Sequence, residues 1–153
     1  MTGNKNPVSV LVLIHSPALE VLLLERAMRP GFWQSVTGSQ EGNESLRDTA
    51  RREVGEETGI VVAPENISDW CLENRYEIFA EWRHRYPEGI THNREHVFSL
   101  CVPRETPIVT APLEHLGYLW LPWREAADKV FSWTNRDAIL LLPSRYEPSC
   151  PSS

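Results

Sequence analysis

The chain has 153 residues, the size of one ordinary domain, and a hydrophobic content of 41% with six tryptophans predicts a packed core. The formal net charge of −6 gives no overall reason to expect a nucleic-acid-binding protein. Three cysteines without CxxC or other metal-ligand spacing indicate reduced thiols rather than a disulfide framework.

The sequence carries no pattern for secretion or membrane insertion. Its N-terminal residues lack a basic region followed by a long apolar core and a cleavage site. No apolar run approaches the length that a membrane-spanning helix needs. We therefore expect a cytoplasmic protein that acts away from membranes, and we infer no obligate protein partner.

Two aliphatic runs predict buried strands near the start of the chain. Residues 8–14 (VSVLVLI) form a continuous β-branched and leucine run, which suits a strand buried on both faces. Residues 21–24 predict a second buried strand after a turn, and a short aromatic segment follows at 32–36. These elements lead into an acidic stretch flanked by glycines.

Residues 45–58 have the spacing of an amphipathic helix. Ser45 suits the N-cap position, with Asp48 three residues on in a shorter version of the capping box. Gly59 is placed to end the helix in the left-handed conformation. The pattern therefore predicts one helix that begins after a glycine-containing turn and ends at a glycine.

Acidic residues continue the apolar face of this helix. At 3.6 residues per turn, Glu53 and Glu57 fall on the stripe that begins with Leu46 and Ala50, and Glu56 flanks it. Three anions on a face that would otherwise be buried repel one another and are costly to desolvate. A cation between them would explain the arrangement, and carboxylate oxygens suit hard ions such as Mg²⁺ or Mn²⁺.

The rest of the chain alternates predicted strands with short helices. Strands are expected at 60–62, 76–80, 96–102 and 115–121, and helices at 123–131 and 136–142. From Pro143 onward the composition (PSRYEPSCPSS) indicates a disordered tail. We therefore predict a single α/β layered domain at 1–142 and a tail at 143–153.

The stretch at 38–60 resembles the Nudix box, G-x5-E-x7-R-E-U-x-E-E-x-G-U, in which U is an aliphatic residue. The matching fixed positions are Gly38, Glu44, Arg52, Glu53, Val54, Glu56, Glu57, Gly59 and Ile60. A solvated acidic helix would explain the acids, but not the flanking glycines or the apolar stripe that runs into the acids. The resemblance implies the Nudix fold, a mixed β-sheet sandwiched between α-helices.

The resemblance also implies an activity and a metal. Nudix enzymes hydrolyse a nucleoside diphosphate linked to another group, so we expect metal-dependent cleavage of a phosphoanhydride bond in a small di- or triphosphate. Mg²⁺ is the expected cofactor, with Mn²⁺ as an alternative. The implied ligands within the box are Glu53, Glu56, Glu57 and the carbonyl of Gly38. Arg52 and Glu44 are expected to orient these ligands rather than to hold the metal.

Four segments beyond the core of the box are similar to the dihydroneopterin triphosphate pyrophosphatase branch of the family. They are FWQSVTGS at 32–39, RHRY at 83–86, EHL at 114–116 and SWTNR at 132–136. Bacterial members of this branch remove pyrophosphate from dihydroneopterin triphosphate on the folate pathway. The similarity implies that this chain converts the same substrate to dihydroneopterin monophosphate and pyrophosphate.

The branch implies further site residues when its motifs are carried over position by position. Glu114 falls where the branch has another metal ligand or base. The implied catalytic residues are Arg52, Glu53, Glu56, Glu57 and Glu114. The implied substrate-binding residues are Lys5, Arg26, Thr37, Tyr76, Glu77, Ile78, Phe79, Glu114 and Ser132. Asn6 and Ala27 stand where the branch would have basic residues, so fewer positive charges are expected around the substrate site.

Several of these residues also have a purely structural interpretation. Trp33 and Phe79 are expected in the core rather than against a pterin ring, because aromatic side chains usually pack inside. The simpler interpretation of Lys5, Arg26 and Glu114 is a solvated surface charge. For Ser132 it is a helix cap, and for residues 83–85 it is an exposed hairpin end.

Two rival functions remain open at the level of sequence. One is a Nudix enzyme for another substrate, such as a nucleoside triphosphate, an oxidised nucleotide or a dinucleoside polyphosphate, because such an enzyme shares every box residue. The other is a non-catalytic Nudix domain that binds a nucleotide or a protein. Such domains usually lose a box carboxylate, and this chain keeps them all.

Overall fold

The computed structural model describes residues 3–146 and places in them seven strands, three α-helices and two short 3₁₀ helices. The strands are β1 (Val8–His15), β2 (Glu20–Arg26), β3 (Trp33–Gln34), β4 (Val36–Ser39), β5 (Ile67–Glu77), β6 (His92–Cys101) and β7 (His115–Pro122). The α-helices are α1 (Leu46–Thr58), α2 (Trp123–Lys129) and α3 (Trp133–Arg145). The 3₁₀ helices are Pro64–Asn66 and Ala80–Arg85. None of the helices among these residues is long and apolar enough to span a bilayer.

The strands form one mixed sheet in the order β3-β2-β1-β6-β5, with β4 pairing β1 and β7 pairing β2. β1 runs parallel to β6, and the other pairs are antiparallel. Alternate residues of β1 enter two cores. Val10 and Val12 pack on the α1 side, whereas Leu11 and Leu13 pack with α2 and α3. This two-sided burial explains the continuous aliphatic run, and it confirms the predicted sheet sandwiched between helices.

Helix α1 begins and ends as predicted. The Ser45 side chain accepts a hydrogen bond from the Asp48 N–H at 3.1 Å, which satisfies one of the free donors of the first turn. Gly59 adopts φ 77°, and its N–H donates to the Gly55 carbonyl at 2.9 Å. These caps fix both ends of the helix. They therefore also fix where its last turn, which contains Glu57, packs against the sheet.

Two strand predictions were wrong. Residues 60–62 form no strand, because Val61 lies 97% exposed and the chain passes through a 3₁₀ turn before β5 begins. The strand predicted at 76–80 is the end of β5, which starts nine residues earlier at Ile67. β5 lies at the edge of the sheet with polar side chains outward, and its pairing with β6 shifts between Asp69 and Glu73. Both features hide the strand from a search for apolar periodicity.

The C-terminal helix is longer than predicted at both ends. It begins at Trp133 with Ser132 as N-cap and continues through Pro143 to Arg145, so the disorder expected for 143–146 was wrong. Tertiary contacts offset the cost of Pro143 inside the helix. Arg145 donates to the Trp70 carbonyl at 2.9 Å, and the centre of the Tyr146 ring lies 4.7 Å from that of His15. Residues 147–153 of the expected tail lie outside the described residues.

Candidate active site

A cleft of about 1120 Å³ opens where β4 and the end of α1 meet the N-terminal segment, the β5–β6 connection and the start of α3. It brings together most of the residues predicted for the site. Those that line it are Lys5, Arg26, Thr37, Gly38, Glu53, Glu57, Tyr76, Glu77, Ile78, Phe79, Glu114 and Ser132. Arg52 and Glu56 do not line it. Segments far apart in sequence therefore converge on one concave surface, the usual form of a small-molecule site.

Two box carboxylates form the buried acidic centre of the cleft. Glu57 is only 4% exposed, and its Oε1 has no hydrogen-bond partner. Burial raises the pKa of Glu57 well above its ordinary value, and the adjacent Glu53 carboxyl raises it further. Burial likewise raises the pKa of Glu53, although Arg52 opposes the shift. Two anions cannot share this place without a proton or a cation between them.

A glycine makes room for this pair. Gly38 lies in β4, opposite Val10 of β1, and a Cβ added there would fall well within 3.0 Å of the Glu53 carboxyl. The side chain of Glu53 therefore occupies the space that any larger residue at 38 would need. Here the box requires glycine for close approach rather than for a special backbone angle.

Arg52 joins the acidic centre to the loop before α1. Its guanidinium lies 2.7 Å from Glu44 Oε1 and 2.8 Å from Glu53 Oε1, and it also donates to the Ser39 carbonyl at 3.0 Å. The hydrogen bonds from Arg52 lower the pKa of Glu44 to about 2, so Glu44 is ionised at neutral pH. This geometry suits the orienting role expected of Arg52 and Glu44, since Glu53 is held from the side away from the cleft.

Glu56 and Glu114 are less closely placed. The Glu56 side chain is 56% exposed and lies 3.3 Å from Arg52, outside the cleft lining. Glu114 is exposed at the rim, yet near enough for its charge to raise the pKa of Glu57. Within residues 3–146 no group of three or more His, Cys, Asp or Glu side chains is already assembled as a metal centre.

The residues present nevertheless fit a hard divalent cation. The unpartnered buried Oε1 of Glu57 is an oxygen that lacks a positive neighbour, and Glu53 stands beside it one helical turn away. Both groups are carboxylates, the donors that such ions prefer. Gly38 lies against the Glu53 carboxyl and also lines the cleft. The predicted ligand roles of Glu56 and Glu114 stay predictions.

His115, to which sequence reasoning gave no role, lies against the acidic pair. Its Nε2 is 3.6 Å from Glu57 Oε1, and the ring is buried. Burial lowers the pKa of His115, and Arg26 lowers it further, so the ring is neutral at pH 7 and the contact is not an ion pair. His115 thus adds no positive charge that would satisfy Glu57.

Basic side chains converge on the same cleft. The Arg26 guanidinium lies 5.0 Å from the Trp82 ring centroid and donates to Gln34 Oε1 at 3.1 Å, while its Nε has no partner. Burial lowers the pKa of Arg26, and Arg85 lowers it further. The pKa of Lys5 is lowered by burial first and then by Arg85 and Arg26. Arg85 lowers the pKa of both Lys5 and Arg26, and all three side chains line the same cleft, so they lie close enough to act together as an anion-binding group.

The structural interpretations had mixed outcomes. Trp33 packs against the core formed with α2 and α3, as expected, whereas Phe79 was wrongly expected in the core because it is 48% exposed and lines the cleft. Ser132 is the N-cap of α3 and also lines the cleft. The basic segment divides: Arg83 lies 2.6 Å from Glu77, whereas Arg85 faces the cleft.

Sequence reasoning missed several cleft residues besides His115. They are Trp82, Asn93 and Glu95, and Arg85 was named only within a basic segment. One signal for Glu95 was present: it stands two residues before Val97, at an inward position of β6. A charged residue at such a position is rarely buried without a purpose.

Comparisons with known proteins agree with this geometry. The NUDIX domain model matches residues 5–142. The chain is 46% identical over 138 residues to the dihydroneopterin triphosphate diphosphatase of Escherichia coli K12, covering 88% of this chain and 91% of that protein. The Haemophilus influenzae protein of the same name is 37% identical, covering 91% and 89%. The solved E. coli dihydroneopterin triphosphate pyrophosphohydrolase superposes with a TM-score of 0.86 at 42% identity, covering 95% of this chain and all of that one. The chain belongs to the Nudix family.

Proposed function

We propose that the chain is a Mg²⁺-dependent diphosphatase that hydrolyses dihydroneopterin triphosphate to dihydroneopterin monophosphate and pyrophosphate. The observation that carries this proposal is the pairing of two groups in one cleft: the buried carboxylates Glu53 and Glu57, and the cations Lys5, Arg26 and Arg85. Related proteins that cover most of the chain bear the name of this activity.

The chain supplies two kinds of binding group for a triphosphate. Glu53 and Glu57 would hold the metal together with the Gly38 carbonyl and Glu114, and Glu56 would join them by turning into the cleft. When bound, Mg²⁺ would supply positive charge for the phosphate oxygens and a water of lowered pKa. Arg26, Lys5 and Arg85 bind the remaining phosphate charge, which phosphoryl transfer requires because its catalysis is mostly positioning and charge stabilisation.

Other residues position these groups. Arg52, fixed by Glu44, keeps the Glu53 carboxylate turned toward the cleft. Thr37, whose hydroxyl donates to the Val10 carbonyl at 2.9 Å, and Ser132 contact the substrate along the cleft wall. The segment at 76–79 lines the same cleft and is expected to contact the substrate.

The proposed setting follows from the substrate. The enzyme works in the cytoplasm on the folate pathway as a single domain that includes α3 to Arg145, with a small-molecule triphosphate as its partner. Nucleic acid, membrane and an obligate protein partner have no part in the proposal.

The test is Mg²⁺-dependent pyrophosphate release from dihydroneopterin triphosphate beside the common ribo- and deoxyribonucleoside triphosphates at equal concentrations. We expect the highest kcat/KM on the pterin. Equal or higher values on nucleotides would retain the Nudix chemistry and reject the pterin substrate. Hydrolysis of none of them, by a protein that melts cooperatively, would favour the binding-domain alternative.

A further inference from the structure

A second polar pocket lies in the same cleft, away from the acidic pair. Asn93 and Glu95 stand two residues apart on β6 and therefore point to the same face of the sheet. They are 1% and 4% exposed, and both line the cleft. Asn93 Oδ1 and Glu95 Oε1 each lack a hydrogen-bond partner. Buried oxygens without partners are rare and destabilising, so two of them side by side indicate a site that a ligand completes.

The unpartnered atoms of this pocket are acceptors, whereas the amide nitrogen of Asn93 is already bonded. Asn93 Nδ2 donates to Ser9 Oγ at 2.7 Å and lies 3.0 Å from the Tyr76 hydroxyl. Against the effect of burial, which raises the pKa of the Glu95 carboxyl, the Thr134 hydroxyl is near enough to lower it. The atoms without a partner, Asn93 Oδ1 and Glu95 Oε1, are both acceptor oxygens. The pocket therefore suits a ligand edge that carries N–H donors rather than acceptors.

The register of the sheet places this pocket at a useful distance from the acidic pair. Ser9 of β1 pairs with Ser39 on one side and with Glu95 on the other. Two strand spacings, roughly 10 Å, therefore separate Glu95 from the β4 segment that contains Gly38. Glu95 pairs with Ser9 on the α3 face of the sheet, whereas Gly38 pairs with Val10 on the α1 face, where Glu53 lies. Because one cleft is lined by both ends, a ligand with its phosphates at Glu53 and Glu57 can reach Glu95 with a head group that passes the edge strand β4.

We propose that Glu95, with Asn93, recognises the 2-amino-4-oxopyrimidine edge of the substrate's ring. This edge presents an amino group beside a ring N–H, and a carboxylate can accept both hydrogens at once. The inference rests on the proposed function, since the pterin of dihydroneopterin triphosphate carries this edge. Guanine carries the same edge, whereas adenine offers a donor beside an acceptor and would set a lone pair against a carboxylate oxygen.

The titration of Glu95 agrees with this role. Burial raises the pKa of Glu95 to about 7, although the Thr134 hydroxyl opposes the shift. Donor hydrogens from a ligand stabilise the ionised carboxylate and lower its pKa. Head-group binding at neutral pH is therefore expected to release a proton from the pocket, which calorimetry in buffers of different ionisation enthalpy would detect.

The experiment compares two nucleotides that differ only in this edge. GTP has the 2-amino group, and XTP has a carbonyl in its place. In E95Q the carboxamide offers one acceptor and one donor, which fits the xanthine edge instead. We expect the ratio of kcat/KM for GTP to that for XTP to fall at least about tenfold in E95Q, the size of one bidentate base contact. E73Q, which changes an exposed acid on the neighbouring strand outside the cleft, is expected to leave the ratio unchanged.

A second measurement uses the wild-type protein alone, in case E95Q folds poorly. Neopterin, without phosphates, should inhibit hydrolysis of a nucleoside triphosphate more strongly than its 2,4-dioxo analogue. An unchanged GTP-to-XTP ratio in a folded E95Q, or equal inhibition by the two analogues, would overturn the role of Glu95. The role of Glu95 and the proposed function can therefore fail independently. If the pterin triphosphate is no substrate although the GTP-to-XTP ratio shifts in E95Q, only the proposed function is rejected. If it is hydrolysed although the ratio does not move, only the role of Glu95 is rejected.

Discussion

The two ends of the cleft contain the same chemical group in different surroundings. Glu57 and Glu95 are both 4% exposed glutamates with an unpartnered Oε1 and a raised pKa. Beside Glu57 stands a second carboxylate, Glu53, whose charge must be neutralised. Beside Glu95 stand only neutral polar groups, Asn93 and Thr134 among them. The first arrangement suits a metal ion and the second suits N–H donors, so the neighbours of a buried acid decide what it binds.

The largest expected effect is at the acidic pair. Replacing Glu57→Gln removes a metal ligand while keeping the shape of the side chain, so kcat should fall on the order of 10²–10³-fold. The melting temperature should not fall, because the neutral Gln side chain removes the repulsion between two buried carboxylates. Steady-state pyrophosphate release and thermal unfolding measure the two effects.

E56Q is the matched control for this change, because Glu56 lies outside the cleft in the structure. A smaller loss than in E57Q is expected. Equal losses in the two variants would show that Glu56 turns into the site when the substrate binds. Normal turnover in E57Q would remove Glu57 from the proposed metal site.

The next largest effect tests the close approach between β4 and α1. In Gly38→Ala the new methyl must displace the Glu53 carboxyl, and a misplacement of about 1 Å can cost about 100-fold in rate. We expect a loss of that size with a lower melting temperature. Gly55→Ala is the control: it lies inside α1, where an added Cβ meets nothing closer than 3.7 Å, and the change should stabilise the helix by about 0.5–1 kcal/mol. Similar behaviour of the two variants would contradict the steric account.

Stability against pH should distinguish acids held by cations from acids buried among neutral groups. The pKa of Glu44 is lowered from 4.5 to about 2, so its contribution is present above pH 4.5 and is lost as the pH falls toward 2. The pKa of Glu95 is raised from 4.5 to about 7, so its ionisation destabilises the fold as the pH rises through that interval.

Denaturant unfolding across pH measures both signs. The stability difference between wild type and E44Q should shrink as the pH falls from 4.5 toward 2. E95Q should gain stability relative to wild type as the pH rises from 4.5 to 7. If the stability of each variant relative to wild type changed with pH in the same direction, the comparison of the two sites would be contradicted.

The smallest expected effect concerns the end of α3. Truncation after Ser144 removes Arg145 and Tyr146, which contact the Trp70 carbonyl and the His15 ring. Loss of about 1 kcal/mol would lower the melting temperature by about 2–4 °C in a chain of this size. Thermal unfolding of the truncated chain measures it, and an unchanged melting temperature would restore the sequence-based expectation of a tail at 143–146.

The elements that sequence predicted well are those in which local rules agree. In α1 the cap, the apolar stripe and the terminal glycine all point to the same bounds, and the fixed spacing of the box marks Glu53 and Glu57. β1 is equally clear because both of its faces are buried. β5 was misplaced because its outward side chains are polar and its pairing with β6 is irregular.

The head-group end of the cleft was harder to predict because it is assembled from distant parts of the chain. Ser9 and Asn93, 84 residues apart, meet only through the parallel pairing of β1 with β6. No local pattern marks Glu95 beyond an acid at an inward strand position. Phe79 was misassigned for a similar reason, since its exposure depends on the 3₁₀ turn that follows it.

The most direct test of a cleft with two functional ends is kcat/KM for wild type, E57Q and E95Q on both dihydroneopterin triphosphate and ATP. The account predicts that E57Q lowers both values by a similar factor, because both substrates need the phosphate end. It predicts that E95Q lowers the value for the pterin selectively, because only the pterin presents two donors to the carboxylate. Equal losses on both substrates in E95Q, or a substrate-selective loss in E57Q, would contradict the separation of the two ends.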